Sequence, residues 1–128
     1  MKILSEISAG ELLDKITILE IKKEKIKNKE KLDAINKEYL TLNESLKKNL
    51  NINSEIKELW SQLKMVNTQL WDIEDAKRLS EKNKKFGNEF IELARNVYKF
   101  NDRRAKIKSK INQLTGSNIK EVKQYTEY

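Results

Sequence analysis

Residues 86–114, FGNEFIELARNVYKFNDRRAKIKSKINQL, form one uninterrupted helical pattern long enough to set the whole fold. Phe90, Val97 and Ile111 share a face at the 3.6-residue period, which marks the side turned towards a core. Gly87 supplies a break before the run, with Gly87 or Asn88 as the cap, and Phe86 is placed to pack on Ile91 or its neighbours. Gly116 closes the helix where a left-handed residue is favoured. Down the middle of the apolar face runs a polar line, Asn101, Arg104 and Lys108. A charge facing a core must be paired, reach water or perform a task, because an unpaired buried ion is strongly destabilising.

Working outward, the preceding pattern is also long. Ile56, Leu59, Leu63, Val66, Leu70 and Ile73 keep one register, flanked by Trp60 and Trp71, and fade after Leu79 into the basic stretch Lys82–Lys85. Each of these two helices is expected to span about 25 residues, or about 40 Å, so together they predict a long antiparallel hairpin. Asn49–Asn53 reads as a loop, with Asn53 or Ser54 capping the long helix that begins there. Before it, Leu32, Ile35, Tyr39, Leu42 and Leu46 define a simple amphipathic helix, preceded by a turn over Lys27–Lys31. The first helix begins at Ser8 and Glu11, which fit a capping box. Leu12, Leu13, Ile16, Leu19 and Ile26 line one of its faces and Ile18 and Ile21 the other. A helix apolar on two sides is either the centre of the domain or the seat of a dimer contact.

Composition agrees. The 128 residues contain no Pro, three Gly and 37% charged residues, so little interrupts helices, and an all-α helical bundle occupying 1–128 as one domain is expected. The terminal segments 1–7 and 117–128 mix β-branched and polar residues and are read as a short two-stranded ribbon or as docked tails. Absence of Cys and His removes disulfides, thiol chemistry, Cys/His zinc sites and imidazole bases. No apolar run is long enough to span a membrane and no signal-peptide pattern is present, which points to a cytoplasmic protein without membrane contact. The net charge of +7 is built from 23 Lys and only 4 Arg. Its densest run, Lys99–Lys110, reads as spread around the helix, so nucleic-acid binding is considered but not favoured.

Three polar sets fall on apolar faces: Glu20; Glu74 with Asn67 and Arg78; and Arg104 with Asn101. They predict an interior network in which Arg104 forks onto Glu74, with Glu20 or Asn101 completing its bonds, while Lys108 snorkels to water. Such a network either holds helix register or marks a site. The i, i+3 acids Glu11 and Asp14, Asp72 and Asp75, and Glu89 and Glu92 have the spacing by which adjacent helical turns present two carboxylates to Mg²⁺, as all-α nucleotide pyrophosphohydrolases do in a related way. The leading expectation is nonetheless no cofactor. Trp60, Trp71, Tyr98, Phe100, Arg95 and Arg103 are of the types enriched at interface hot spots, although the two Trp read better as core. Asp102, Arg103, Tyr125 and Tyr128 are the candidate surface contacts.

The segments SAGELLDKITILEIKKEKI (8–26), LWDIEDAKR (70–78), FGNEFIELARNVYKFNDRRAKIKSKIN (86–112) and GSNIKEVKQY (116–125) resemble an uncharacterised domain-of-unknown-function family of bacteria and marine bacteriophages. The resemblance implies no activity, and it implies a bacterial or phage-infected host cytoplasm. It directs attention to Glu11, Leu12, Asp14, Lys15 and Glu20, to Trp71, Glu74, Asp75 and Arg78, and to Asn101, Asp102, Arg103 and Arg104. The tail departs from the family's acidic pair followed by Lys-Ser-Tyr, since Glu121, Val122, Lys123, Gln124 and Tyr125 stand there. The reading is an accessory or protein-interaction module acting as a homodimer or with another protein. A Mg-dependent hydrolase of phosphorylated small molecules and a nucleic-acid accessory protein are the alternatives.

Overall fold

Short polar side chains start three of four helices, each accepting from a backbone N–H that the helix itself leaves unpaired. Ser8 accepts from Glu11 N at 3.1 Å, Asn28 from Lys31 N at 3.0 Å and Asn53 from Ile56 N at 2.9 Å. The computed structural model describes residues 1–128, with α1 over Ala9–Lys25, α2 over Lys29–Asn49, α3 over Ser54–Lys82 and α4 over Asn88–Thr115. The Asn28 cap starts α2 three residues earlier than the polar run Lys27–Lys31 suggests. At Ser8 only half of the expected capping box forms, because the Glu11 carboxylate reaches across to Lys108 instead of back to the Ser8 amide. α4 starts at Gly87 without a side-chain cap and stops at Gly116, whose φ of 64° suits a residue without Cβ. Phe86 packs edge-on against Phe90 at 5.3 Å.

α3 and α4 pair as the expected antiparallel hairpin, with Ser54 and Glu58 beside Lys110 and Leu114. α1 is the central helix and the only one to pack on each of the others. The core joins Leu12, Leu13 and Ile16 of α1 to Leu46 of α2, Ile56, Leu59 and Leu63 of α3 and Ile111 of α4. The second apolar side of α1 is taken up in part within the chain: Ile21 is 1% exposed, Ile18 is half-buried, and both border Leu70 and Trp71 of α3. Ile21 therefore reports a helix crossing, while Ile18 stays half-buried at the edge of α1. Beyond α1 the hairpin continues as an arm, and Leu79, Phe86, Ile91 and Tyr98 along it are exposed.

The termini do not form the expected ribbon; 1–8 and 117–128 contain no strand. The closing segment instead turns back along α4, with Glu121 at Lys108 and Tyr128 at Asp102. Side-chain anchors on the helix carry it away from residues 1–7, to which Asn118 and Glu6 make a single 3.0 Å link.

α1 meets α4 at Gly10. The Gly10 N–H donates to Asn112 Oδ1 at 2.7 Å, and a Cβ at this position would lie 2.5 Å from the Lys108 carbonyl oxygen and 2.9 Å from Asn112 Oδ1. Gly10→Ala should therefore force the helices apart, lowering stability by about 3 kcal/mol and Tm by roughly 10 °C in a thermal melt. Gly87→Ala, whose Cβ meets nothing within 4 Å, should stay within about 1 kcal/mol of the parent. Equal melts for the parent and Gly10→Ala would refute the close approach of the two helices.

Candidate functional site

The line Gly10, Asp14, Thr17 and Ile21 runs down α1 at i, i+4, i+7 and i+11, so small and polar residues face the hairpin where it comes nearest. Asp14, 1% exposed, is the hub. Arg104 of α4 forks onto it, Nε donating to Oδ1 at 2.9 Å and Nη2 to Oδ2 at 2.5 Å. Asn67 of α3 donates to Asp14 Oδ1 and to Thr17 Oγ1, both at 2.9 Å. Thr17 in turn donates to the Asp14 carbonyl at 2.8 Å. Lys108 Nζ lies 2.7 Å from Glu11, 3.0 Å from Glu121 and 3.9 Å from Asp14. Three carboxylates and two cations thus tie α1, α4 and the closing segment together, and no buried side-chain polar atom is left without a partner.

This differs from the expected network. Arg104 meets neither Glu74 nor Glu20. Glu20 accepts from the Trp60 indole at 2.8 Å, and Glu74 pairs with Lys77 at 3.1 Å. Asn101 does join, accepting from Arg104 Nη1 at 3.4 Å. Lys108 does not snorkel to water; it is 7% exposed and held among carboxylates. Asp14, Thr17, Asn67, Asn112 and Glu121 complete the cluster, and the polar i, i+4, i+7 line on α1 is the sequence signal that points to the first two.

Burial alone would raise the Asp14 carboxyl, but hydrogen bonds from Arg104 and Asn67 and the charges of Arg104 and Lys108 outweigh it and hold the group below its ordinary range. Burial alone would lower Lys108, yet its bonds to Glu11 and Glu121 and the nearby Asp14 charge keep it above the usual lysine value. The Asp14 pair raises Arg104, and Lys108 lowers Glu121.

Arg104 is one of the points at which this network reaches solvent, beside Glu11 and Glu121. Its side chain is 28% exposed and borders a cleft of about 320 Å³ between α1, α3 and α4. Ile18, Ile21, Leu70 and Trp71 give the cleft an apolar lining, and Glu74, Asp75 and Arg78 stand with Arg104 as its charged groups. Of the sequence-derived cluster, Glu74, Arg78 and Arg104 therefore share this cleft, Asn101 supports Arg104 from behind, and Glu20 stands apart at Trp60.

The paired acids are dispersed. Glu11 and Asp14 are engaged by Lys108 and Arg104, Asp75 borders the cleft, Asp72 approaches Lys25 at 3.8 Å, Glu92 approaches Arg95 at 3.6 Å, and Glu89 is exposed in the first turn of α4. Nowhere do three acids converge in a geometry suited to a metal ion. The four surface candidates do converge. The closing segment brings Tyr125 and Tyr128 over Asp102 and Arg103, with Tyr128 OH donating to Asp102 Oδ2 at 2.6 Å and its ring edge-on to Tyr98 at 5.0 Å. The Asp102 carboxylate raises the Tyr128 phenol above its usual value. Arg103 also lies 4.7 Å from the Phe100 ring.

The profile of a family described as "Family of unknown function (DUF6165)" matches residues 1–128. The chain belongs to this family. The DUF6165 match includes the Asp14 hub, the Trp71 cleft and the closing segment alike, and it extends through α2, which none of the four resembling segments covers. Neither a curated protein nor a solved structure matches the chain. No helix is long and apolar enough to cross a membrane.

The Asp14 carboxyl titrates lower in the folded than in the unfolded chain. Its stabilisation is therefore complete above the unfolded value, near pH 4, and is lost as pH falls through the folded value. Asp14→Asn should be less stable at neutral pH by about 3 kcal/mol, because it leaves Arg104 without its counter-charge. Its denaturation free energy should also fall less steeply than the parent's on acidification below about pH 4. Parallel curves for the two proteins would show that Asp14 is not a hub.

Proposed function

We propose that the chain is a non-catalytic accessory module that binds a partner protein through the cleft between α1, α3 and α4, taking a segment with a carboxylate beside an apolar side chain. The observation that supports this is the state of Arg104. A guanidinium has five N–H donors; Asp14 takes two and Asn101 a third, so two remain at a side chain whose orientation is already held. Arg78, which pairs with no carboxylate within the chain, borders the same cleft. Two guanidiniums suit bidentate capture of a carboxylate, while Trp71 and Leu70 offer apolar area to the neighbouring side chain. Glu74 and Asp75 on the same cleft disfavour ligands bearing several negative charges, which favours a mixed peptide over a phosphate-rich small molecule.

The test is a titration of ¹⁵N-labelled protein with a blocked amphipathic acidic peptide, Ac-Leu-Glu-Phe-NH₂. The Trp71 indole and the amides around Arg78 and Arg104 should shift together and saturate, and Arg78→Ala should weaken binding about tenfold without changing Tm. Shifts confined to other surfaces, or none at millimolar peptide, would refute the reading.

A further inference from the structure

The basic run of α4 is divided by the fold. Arg104 and Lys108 turn inward to Asp14 and Glu11, whereas Lys99, Arg103 and Lys106 follow one another at i, i+4 and i+7 and form an outward stripe. Arg103 and Arg104, although adjacent, leave the helix about 100° apart. Of the six cations in the run, Arg104 and Lys108 are thus paired inside, Lys99, Arg103 and Lys106 stand free on the groove side, and Lys110 lies beside Ser54 and Glu58 of α3. None of Lys99, Arg103 and Lys106 has a carboxylate partner within the chain.

The closing segment runs back beside this stripe and makes it one wall of a groove of about 770 Å³. Lys123, Tyr125 and Tyr128 form the other wall, and a second hollow of about 800 Å³ shares these residues and reaches Tyr98. Two carboxylates also border the groove. Asp102 is engaged by the Tyr128 hydroxyl, and Glu127 is the other. Lys123 lies 3.7 Å from Glu121. Four cations against these acids leave the groove positive. Tyr125, 74% exposed, presents a ring face with no aromatic partner.

We propose that this groove binds nucleoside phosphates, with the Lys99, Arg103 and Lys106 stripe following the phosphates and Tyr125 stacking on a base. A row of cations beside exposed aromatic rings is the arrangement by which proteins hold single strands without reading sequence: phosphates supply affinity, and any base can stack. The groove volume falls in the range of about 300–1,000 Å³ typical of small-ligand sites, so the same chemistry is available from a free nucleotide or from a strand. The site is separate from the Arg104 cleft and does not depend on that reading.

Fluorescence anisotropy with labelled (dT)₁₀, alongside titration with thymidine monophosphate, separates the two sources. Binding of (dT)₁₀ is expected at low salt, with the triple variant Lys99→Ala, Arg103→Ala, Lys106→Ala losing at least about tenfold and its salt slope shrinking by roughly 2. Tyr125→Ala should lose about fivefold. Lys123→Glu, outside every helix, should weaken binding even if the triple variant folds poorly by circular dichroism, and Arg78→Ala should leave it unchanged. Tighter binding of (dT)₁₀ than of the monophosphate assigns the site to strands; equal binding assigns it to free nucleotides. Three results would overturn the proposal: no binding of either probe, binding that survives both the triple variant and Lys123→Glu, or binding indifferent to Tyr125→Ala and matched by base-free dextran sulfate.

Discussion

α1 can approach α4 closely only because Gly10 has no side chain, and the approach is stable only because Asp14 arrives with its counter-charges already in place. A carboxylate removed from water is strongly disfavoured unless hydrogen bonds and opposite charge replace its hydration. Here the Arg104 fork, the Asn67 amide and the neighbouring Lys108 do so from three directions. The Gly10 amide and Asn112 close the same contact one turn away. Because α1 is the helix on which all others pack, its docking onto α4 sets the position of α2, the opening of the Trp71 cleft and the anchoring point of the closing segment through Lys108.

Two neighbouring arginines show how a single helix serves both interior and surface. Arg104 is fixed by a buried acid and exposes only what that acid does not use. Arg103, one residue earlier, faces the groove beneath Tyr125 and rests beside Phe100. A guanidinium held in this way loses little freedom when it meets a further anion, which is the physical advantage of preorganisation. The buried network and the exposed surfaces are consequently linked: the Asp14 pair stabilises the packing and also aims the donors that reach solvent.

Much of the architecture was readable from residue order. The Ser8 and Asn53 caps, the Gly116 stop, the apolar registers of all four helices and the antiparallel hairpin follow from local rules acting over a few residues. The central place of α1 was legible in its two apolar sides, and the burial of Ile21 against α3 accounts for part of the second one. For the site, the sequence indicated that Arg104 needs a partner but not which one. Advancing each helix by 100° per residue identifies the inward residues without giving the axial offset between helices. Glu74 and Asp14 both point towards the centre; α1 is docked at the height that gives Arg104 to Asp14 and leaves Glu74 with Lys77.

Local and long-range interactions divide the determinants of this protein between them. The sequence alone dictated four helices, their limits to within about three residues, the need for a buried counter-charge and the absence of thiol and imidazole chemistry, because these depend on local hydrogen bonding, side-chain periodicity and composition. Only tertiary structure decided that Asp14 is the hub, that Lys108 is enclosed instead of solvated, and that residues 117–128 lie along α4 instead of pairing with 1–7. Each of these is set by the height and angle at which helices cross. That geometry depends on contacts between residues some ninety positions apart or more, Gly10 with Asn112 and Asp14 with Arg104, and no local pattern carries it.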